Sequence, residues 1–186
     1  MDSNVFQNLS FLKELNLSNI SSSYFSSKIF QTLGNLTKLD LSMNPIEEIP
    51  QLPPNIRILD ISKTNIMNLN GILLPSLVIL RASYMNNLTT VFLNDFELLD
   101  NLDELDFHGS SKLREINIFS ENKHLLPLIT HISFKNCDLQ YIMPEVWSIV
   151  EQAINLELEN NPWNCDCKMV WLYDKNLTSD LSSNFR

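Results

Sequence analysis

The sequence predicts an α/β solenoid, a curved stack with short parallel strands on its concave face and short helices or irregular turns on its convex face. Three observations carry this expectation. Aliphatic residues recur in one fixed frame along the chain, polar residues alternate with them at the centre of each frame, and a helix-spaced aromatic and leucine stripe precedes several frames. The 186 residues are 44% apolar, enough for a substantial core and outside the composition of disordered chains.

The frame is clearest in Leu36-x-x-Leu39-x-Leu41-x-x-Asn44-x-Ile46-x-x-Ile49. It returns from Ile56 (Leu59, Ile61, Ile66, Leu69) and from Ile129 (Ile132, Phe134, Cys137, Leu139, Ile142). From Leu77 and Leu102 it returns with one extra residue late in the repeat, giving Leu88/Val91 and Leu113/Ile116. Weaker copies begin at Leu12 (Leu15, Leu17) and Ala153 (Leu156, Leu158, Asn161). The starts at 12, 36, 56, 77, 102, 129 and 153 are 24, 20, 21, 25, 27 and 24 residues apart, the period of a leucine-rich repeat solenoid. Alternation at the Leu-x-Leu centre marks a short strand with one buried face. Stacked copies pair these strands in parallel and merge their leucines into one core.

Two further positions follow from the frame. The ninth holds Asn44, Thr64, Cys137 and Asn161; an amide there can bond turn backbones that would otherwise be buried without partners. Cys137 is accordingly expected as a small buried residue, not a reactive thiol. Phe6-x-x-Leu9-x-x-Leu12, Phe30-x-x-Leu33-x-x-Leu36, Phe96-x-x-Leu99-x-x-Leu102 and Trp147-x-x-Val150-x-x-Ala153 each place an apolar stripe at helical spacing, to be laid on the back of the stack. Pro50, Pro53 and Pro54 replace that stripe in the shortest repeat and predict an extended connection.

The last repeat runs into Asn161-Pro162-Trp163-Asn164-Cys165-Asp166-Cys167-Lys168-Met169-Val170-Trp171-Leu172. This segment resembles the cysteine-containing C-terminal cap of extracellular leucine-rich repeat proteins, among them Toll receptors, Slit-type guidance proteins and cell-surface adhesion proteins. The resemblance covers roughly residues 5–175. It implies an extracellular or cell-surface recognition module in which Trp163 and Trp171 cover the end of the core and Cys165 and Cys167 each bond a later cysteine. The chain departs from that pattern, because no cysteine follows Cys167. Cys165 and Cys167 are too close to pair with each other without strain. A zinc site would need a second ligand pair that is missing. The expected organisation is therefore about seven repeats over 1–158, the first incomplete, and a partial cap over 159–186, a piece of a longer ectodomain. Met1-Asp2-Ser3-Asn4 lacks the basic and apolar regions of a secretory signal, and no apolar stretch is long enough to span a bilayer. The sequons at Asn8, Asn16, Asn19, Asn35, Asn87 and Asn176 are glycosylation candidates that fit an extracellular origin.

Residues between the buried leucines point onto the concave face. The central position reads Asn16, Asp40, Asp60, Arg81, Asp106, Ser133 and Glu157, so Arg81 is expected between Asp60 and Asp106 in a charge ladder. Ile58, Val78, Ile79 and Tyr84 form an apolar patch ringed by that charge, a form suited to docking. With Asp40 and His131, these residues are the candidate partner-binding set. A protein ligand or co-receptor is the expected partner; a glycan or lipid-bearing ligand is a further implication of the resemblance. The net charge of −9, without any Lys/Arg run, argues against nucleic acid.

Nothing in the sequence calls for a cofactor or metal. Asp106, His131 and Ser133 would fall on neighbouring strands, like a hydrolase set, but no glycine-rich turn supplies an oxyanion hole and the face is open to water. The chain is thus read as a non-enzyme. His108 and His131 are read as ordinary surface histidines, with a pH-sensitive contact as the alternative. The alternative readings are an intracellular, cytoplasmic scaffold or adaptor with reduced cysteines, or a truncated fragment without independent function.

Overall fold

A computed structural model of the chain describes residues 5–119, 129–164 and 166–171. Cys165, Asn176 and the cap beyond 171 lie outside the described residues. The strands are β1 (Glu14–Asn16), β2 (Lys38–Asp40), β3 (Ile58–Asp60), β4 (Ile79–Arg81), β5 (Thr90–Phe92), β6 (Glu104–Asp106), β7 (Glu115–Asn117), β8 (His131–Ser133) and β9 (Asn155–Glu157). Seven of them form one parallel sheet in the order β1-β2-β3-β4-β6-β8-β9. The strands follow the seven repeat starts one for one. Their central residues Leu15, Leu39, Leu59, Leu80, Leu105, Ile132 and Leu156 stand opposite one another in register.

Backbone pairing continues beyond the strands. The N–H groups of Leu17, Leu41, Ile61, Ala82, Phe107 and Phe134 each donate across to the next repeat at 2.8 Å. Two residues on, those of Asn19, Met43, Lys63, Tyr84, Gly109 and Asn136 do the same at 2.8–3.0 Å. These six residues, with Asn160 in the last repeat, have φ between 54° and 73°, the left-handed region that disfavours L side chains. The turn leads the chain off its strand while keeping the N–H on its neighbour, and that bond offsets the strain. Gly109 is the one glycine in this slot.

The inward leucines of the interior strands are fully buried, as are Leu41, Ile61, Ala82, Phe107 and Phe134 beside them. The rings of Phe107 and Phe134 stack at 5.2 Å, 5° from parallel. At the ninth position the Asn44 amide donates to the carbonyls of Leu17, Leu41 and Ser42 at 2.7, 2.9 and 3.1 Å, and its oxygen accepts from the N–H groups of Ile20 and Ser22. Asn161 repeats the pattern on Phe134, Leu158 and Leu139. Ser110 reaches back to Ala82 and Cys137 to Phe107, whereas Thr64 reaches only Ile61 in its own repeat and the Met85 sulfur. Cys137 is buried, and burial pushes its thiol up to about 12.

The convex side carries α1 (Ser27–Phe30), α2 (Pro144–Val150) and a 3-10 turn at Leu93–Phe96. The Ser26 hydroxyl caps α1 by accepting from the Lys28 N–H, and Pro144 occupies the first turn of α2, where its missing N–H costs nothing. The proline segment 50–54 is non-helical. One expectation needs correction. Leu9 does not complete the first stripe: it faces solvent, while Phe6 is buried. Beside the seven-stranded sheet, β5 and β7 pair as a second parallel sheet with Val91 opposite Ile116. The extra residue in those two repeats places β-branched Val91 and Ile116 inward, where they fit a pleated half-buried surface.

Candidate partner-binding face

The concave sheet brings the candidate residues together. Ile58 on β3 stands opposite Ile79 on β4, both half-buried between their neighbours, with Val78 beside them. Tyr84, in the left-handed turn after β4, keeps 44% of its surface exposed. Asp40, Asp60, Arg81 and Asp106 follow one another in register across the sheet. His131 lies further along, its Nδ1 2.8 Å from the Asn155 amide.

The charge ladder does not form as expected. Arg81 pairs with Glu104 at 3.7 Å rather than with Asp60 or Asp106. The aspartates serve the backbone instead. The carboxylates of Asp40, Asp60 and Asp106 accept the N–H two residues on, from Ser42, Ser62 and His108, at 2.8–2.9 Å, and Asn16 does the same for Ser18. The second oxygen of Asp106 accepts from the Ser83 hydroxyl at 2.7 Å. Such local side-chain bonds hold the exit turn of each strand. Both Arg81 and Glu104 are partly exposed, so their pairing contributes little stability.

Tyr84 is held in a defined position. Lys63 lies over its ring, with Nζ 5.2 Å from the centroid, and the His108 ring meets it edge-on at 5.3 Å. The hydrolase-like set does not assemble: the Ser133 hydroxyl donates to Glu157 and His131 is engaged with Asn155.

Among the sequons, Asn8 and Asn19 are exposed and their side chains make no hydrogen bond within the described residues. Asn87 is half-buried. Asn16 sits on β1 with its amide on Asp40. Asn35 belongs to an inter-repeat series that sequence reasoning missed. The amides of Asn35, Asn55 and Asn101, each just before a repeat start, donate to the carbonyls of Ser10, Gly34 and Pro75 in the preceding repeat at 2.7–2.8 Å. The available signal was an asparagine recurring immediately before the first aliphatic position.

At the C-terminal end, Trp163 and Trp171 pack on the core, and Trp171 tilts against Trp147 at 6.0 Å. Tyr141 donates to Asp166 at 3.1 Å, accepts from the Asn164 amide and lies under Lys168. These contacts tie the segment around Cys167, which is exposed, to the repeat before it.

The repeat frame, its register and the parallel sheet make the chain a leucine-rich repeat solenoid, a non-enzymatic class of protein. No protein-family model matches it. It is 30% identical to podocan of Mus musculus over 93% of its own length, and it spans 29% of that protein. Among solved structures it is similar to mouse RP105 in the RP105/MD-1 complex, with a TM-score of 0.61, 20% identity, and 96% of this chain matched to 36% of that one. It is likewise similar to TLR13 in the TLR13–ssRNA13 complex, with a TM-score of 0.58, 22% identity, and 88% matched to 27%. The chain thus spans little more than a third, or less, of each of these proteins. The second complex also narrows one expectation: this fold is solved with single-stranded RNA in a neighbour, so the argument against nucleic acid rests on this chain's own charge alone.

Proposed function

We propose that this chain is a protein-recognition segment of an extracellular leucine-rich repeat protein, a receptor, adhesion or matrix-type ectodomain, and that it binds its partner through the concave face. The observation that carries the reading is the patch of Ile58, Val78, Ile79 and Tyr84, left partly open on the concave face beside the fully buried Leu59 and Leu80. Apolar side chains ringed by Asp60, Arg81 and Glu104 suit the apolar centre and polar rim of a protein interface. The series of inter-repeat bonds keeps the face rigid, which lowers the ordering cost of binding. RP105 being solved as a complex with MD-1 supports a protein partner for this solenoid too. Podocan and RP105 support the extracellular assignment, and with it glycosylation at Asn8 and Asn19. Residues 1–158 then form the repeats and 159–186 part of a cap, in which Cys165 and Cys167 would bond cysteines of the parent protein.

The test combines Ile79→Asp with Tyr84→Asp. Both sites keep part of their surface open, so the far-ultraviolet circular dichroism should show the wild-type fold while partner binding is lost. A double variant that folds and keeps full affinity would overturn the reading.

A further inference from the structure

The turn that carries Tyr84 differs from its counterparts along the stack. Tyr84 is the aromatic residue of the left-handed slot, with φ +56. The next repeat supplies Gly109 there, and a Cβ on Gly109 would stand 2.5 Å from Tyr84 Cε1 and 2.6 Å from Cδ1. The ring therefore occupies the space a side chain would fill. Lys63 lies over the ring and His108 meets it edge-on. Within the described residues, no side-chain hydrogen bond engages the Tyr84 hydroxyl, the Lys63 ammonium or the His108 ring. The Lys63 ammonium and the His108 ring thus flank one exposed aromatic residue. The nearest sheet carboxylates, Asp60 and Asp106, are turned to the backbone N–H groups of Ser62 and His108.

We propose that this rim of the concave face, centred on Tyr84, receives an acidic and apolar segment of the partner protein. A carboxylate of that segment docks against Lys63, Tyr84 and His108, and an adjacent aliphatic side chain covers Ile58 and Ile79. The proposal rests on the concave-face reading and specifies the partner chemistry at that site. Charge complementarity selects the occupant. The Lys63 ammonium has no carboxylate partner among the described residues, so a single carboxylate finds a local match there. A sulfated glycan, with charge along its whole length, would meet Glu104 and the aspartates of the same face and be repelled.

The probe is a short synthetic peptide carrying two glutamates followed by two leucines, titrated to millimolar concentration into the isotope-labelled full chain and followed by nuclear magnetic resonance. The expected result is shifts concentrated at Lys63, Tyr84, His108 and Gly109, with affinity reduced about tenfold or more by Lys63→Glu or by replacing the glutamates with glutamines. Lys63 is exposed, so the substitution leaves the fold intact. Absence of shifts at these residues, unchanged affinity in Lys63→Glu, or equal binding of the glutamine peptide would overturn the proposal. So would tighter binding of a heparin fragment at the same residues, which would assign the rim to a glycan. Ile79→Asp separates the two readings. Loss of binding there with Lys63→Glu unaffected would overturn the rim alone, and the reverse would overturn the apolar patch.

Discussion

The ring of Tyr84 lies over the Cα of Gly109, and a methyl group at 109 would stand 2.5 Å from its Cε1. Gly109 also has φ +73, so Gly109→Ala meets both a steric clash and an unfavourable backbone. The expected cost is roughly 1–3 kcal/mol, with displacement of the ring from His108. Thermal denaturation checks the first, and the ring-current shift on the His108 protons checks the second. An unchanged melting point together with an unchanged His108 spectrum would contradict the packing described.

Asn44 is a linchpin of the turn stack, because its one amide serves three carbonyls and two N–H groups. Asn44→Ala strands several of these in the buried interior, at about 1–3 kcal/mol for each group left unsatisfied. Thr64→Val should cost less, since Thr64 bonds one carbonyl in its own repeat. Chemical denaturation of both variants gives the comparison; equal losses would contradict it.

Much of this was legible in the sequence because a solenoid writes its geometry as periodicity. The Leu-x-Leu centres located all seven strands and their register, and the ninth position identified Asn44, Asn161 and the burial of Cys137. The charge ladder around Arg81 was misread because aspartate at a strand end is claimed first by the local N–H two residues on, a competition that alternation does not express. The β5–β7 sheet was missed because one inserted residue signals a bulge as readily as a strand. The Tyr84 site was only half legible. The tyrosine was visible as an exposed apolar residue, but its dependence on Gly109 is a contact between repeats 25 positions apart.

The core should weaken toward the N-terminal end. Leu80 is fully buried, whereas Leu15 on β1 is only partly so. Leu80→Ala should cost about 2–5 kcal/mol and Leu15→Ala distinctly less, as unfolding midpoints would show. A larger loss at Leu15 would place the cooperative core elsewhere.

Cys137 is held as a neutral thiol, its value pushed from 9.0 up to about 12 by burial. Brief alkylation of the native chain should label Cys167 and spare Cys137 until denaturant is added, read by mass spectrometry of the peptides. The sign for stability follows from the raised value: the contribution is complete below pH 9 and is lost as pH rises toward about 12. Cys137→Ala should therefore show a shallower alkaline decline in melting point than wild type. Rapid native labelling of Cys137 would contradict its burial.

The central claim, recognition through the concave face, is tested most directly by site-placed photo-crosslinking. A photoreactive side chain is introduced at Ile79 on the sheet, or at exposed Leu73 away from it, in the presence of the proposed protein partner. The account predicts a covalent partner adduct from position 79 and none from position 73. An adduct from position 73, with position 79 silent, would contradict it.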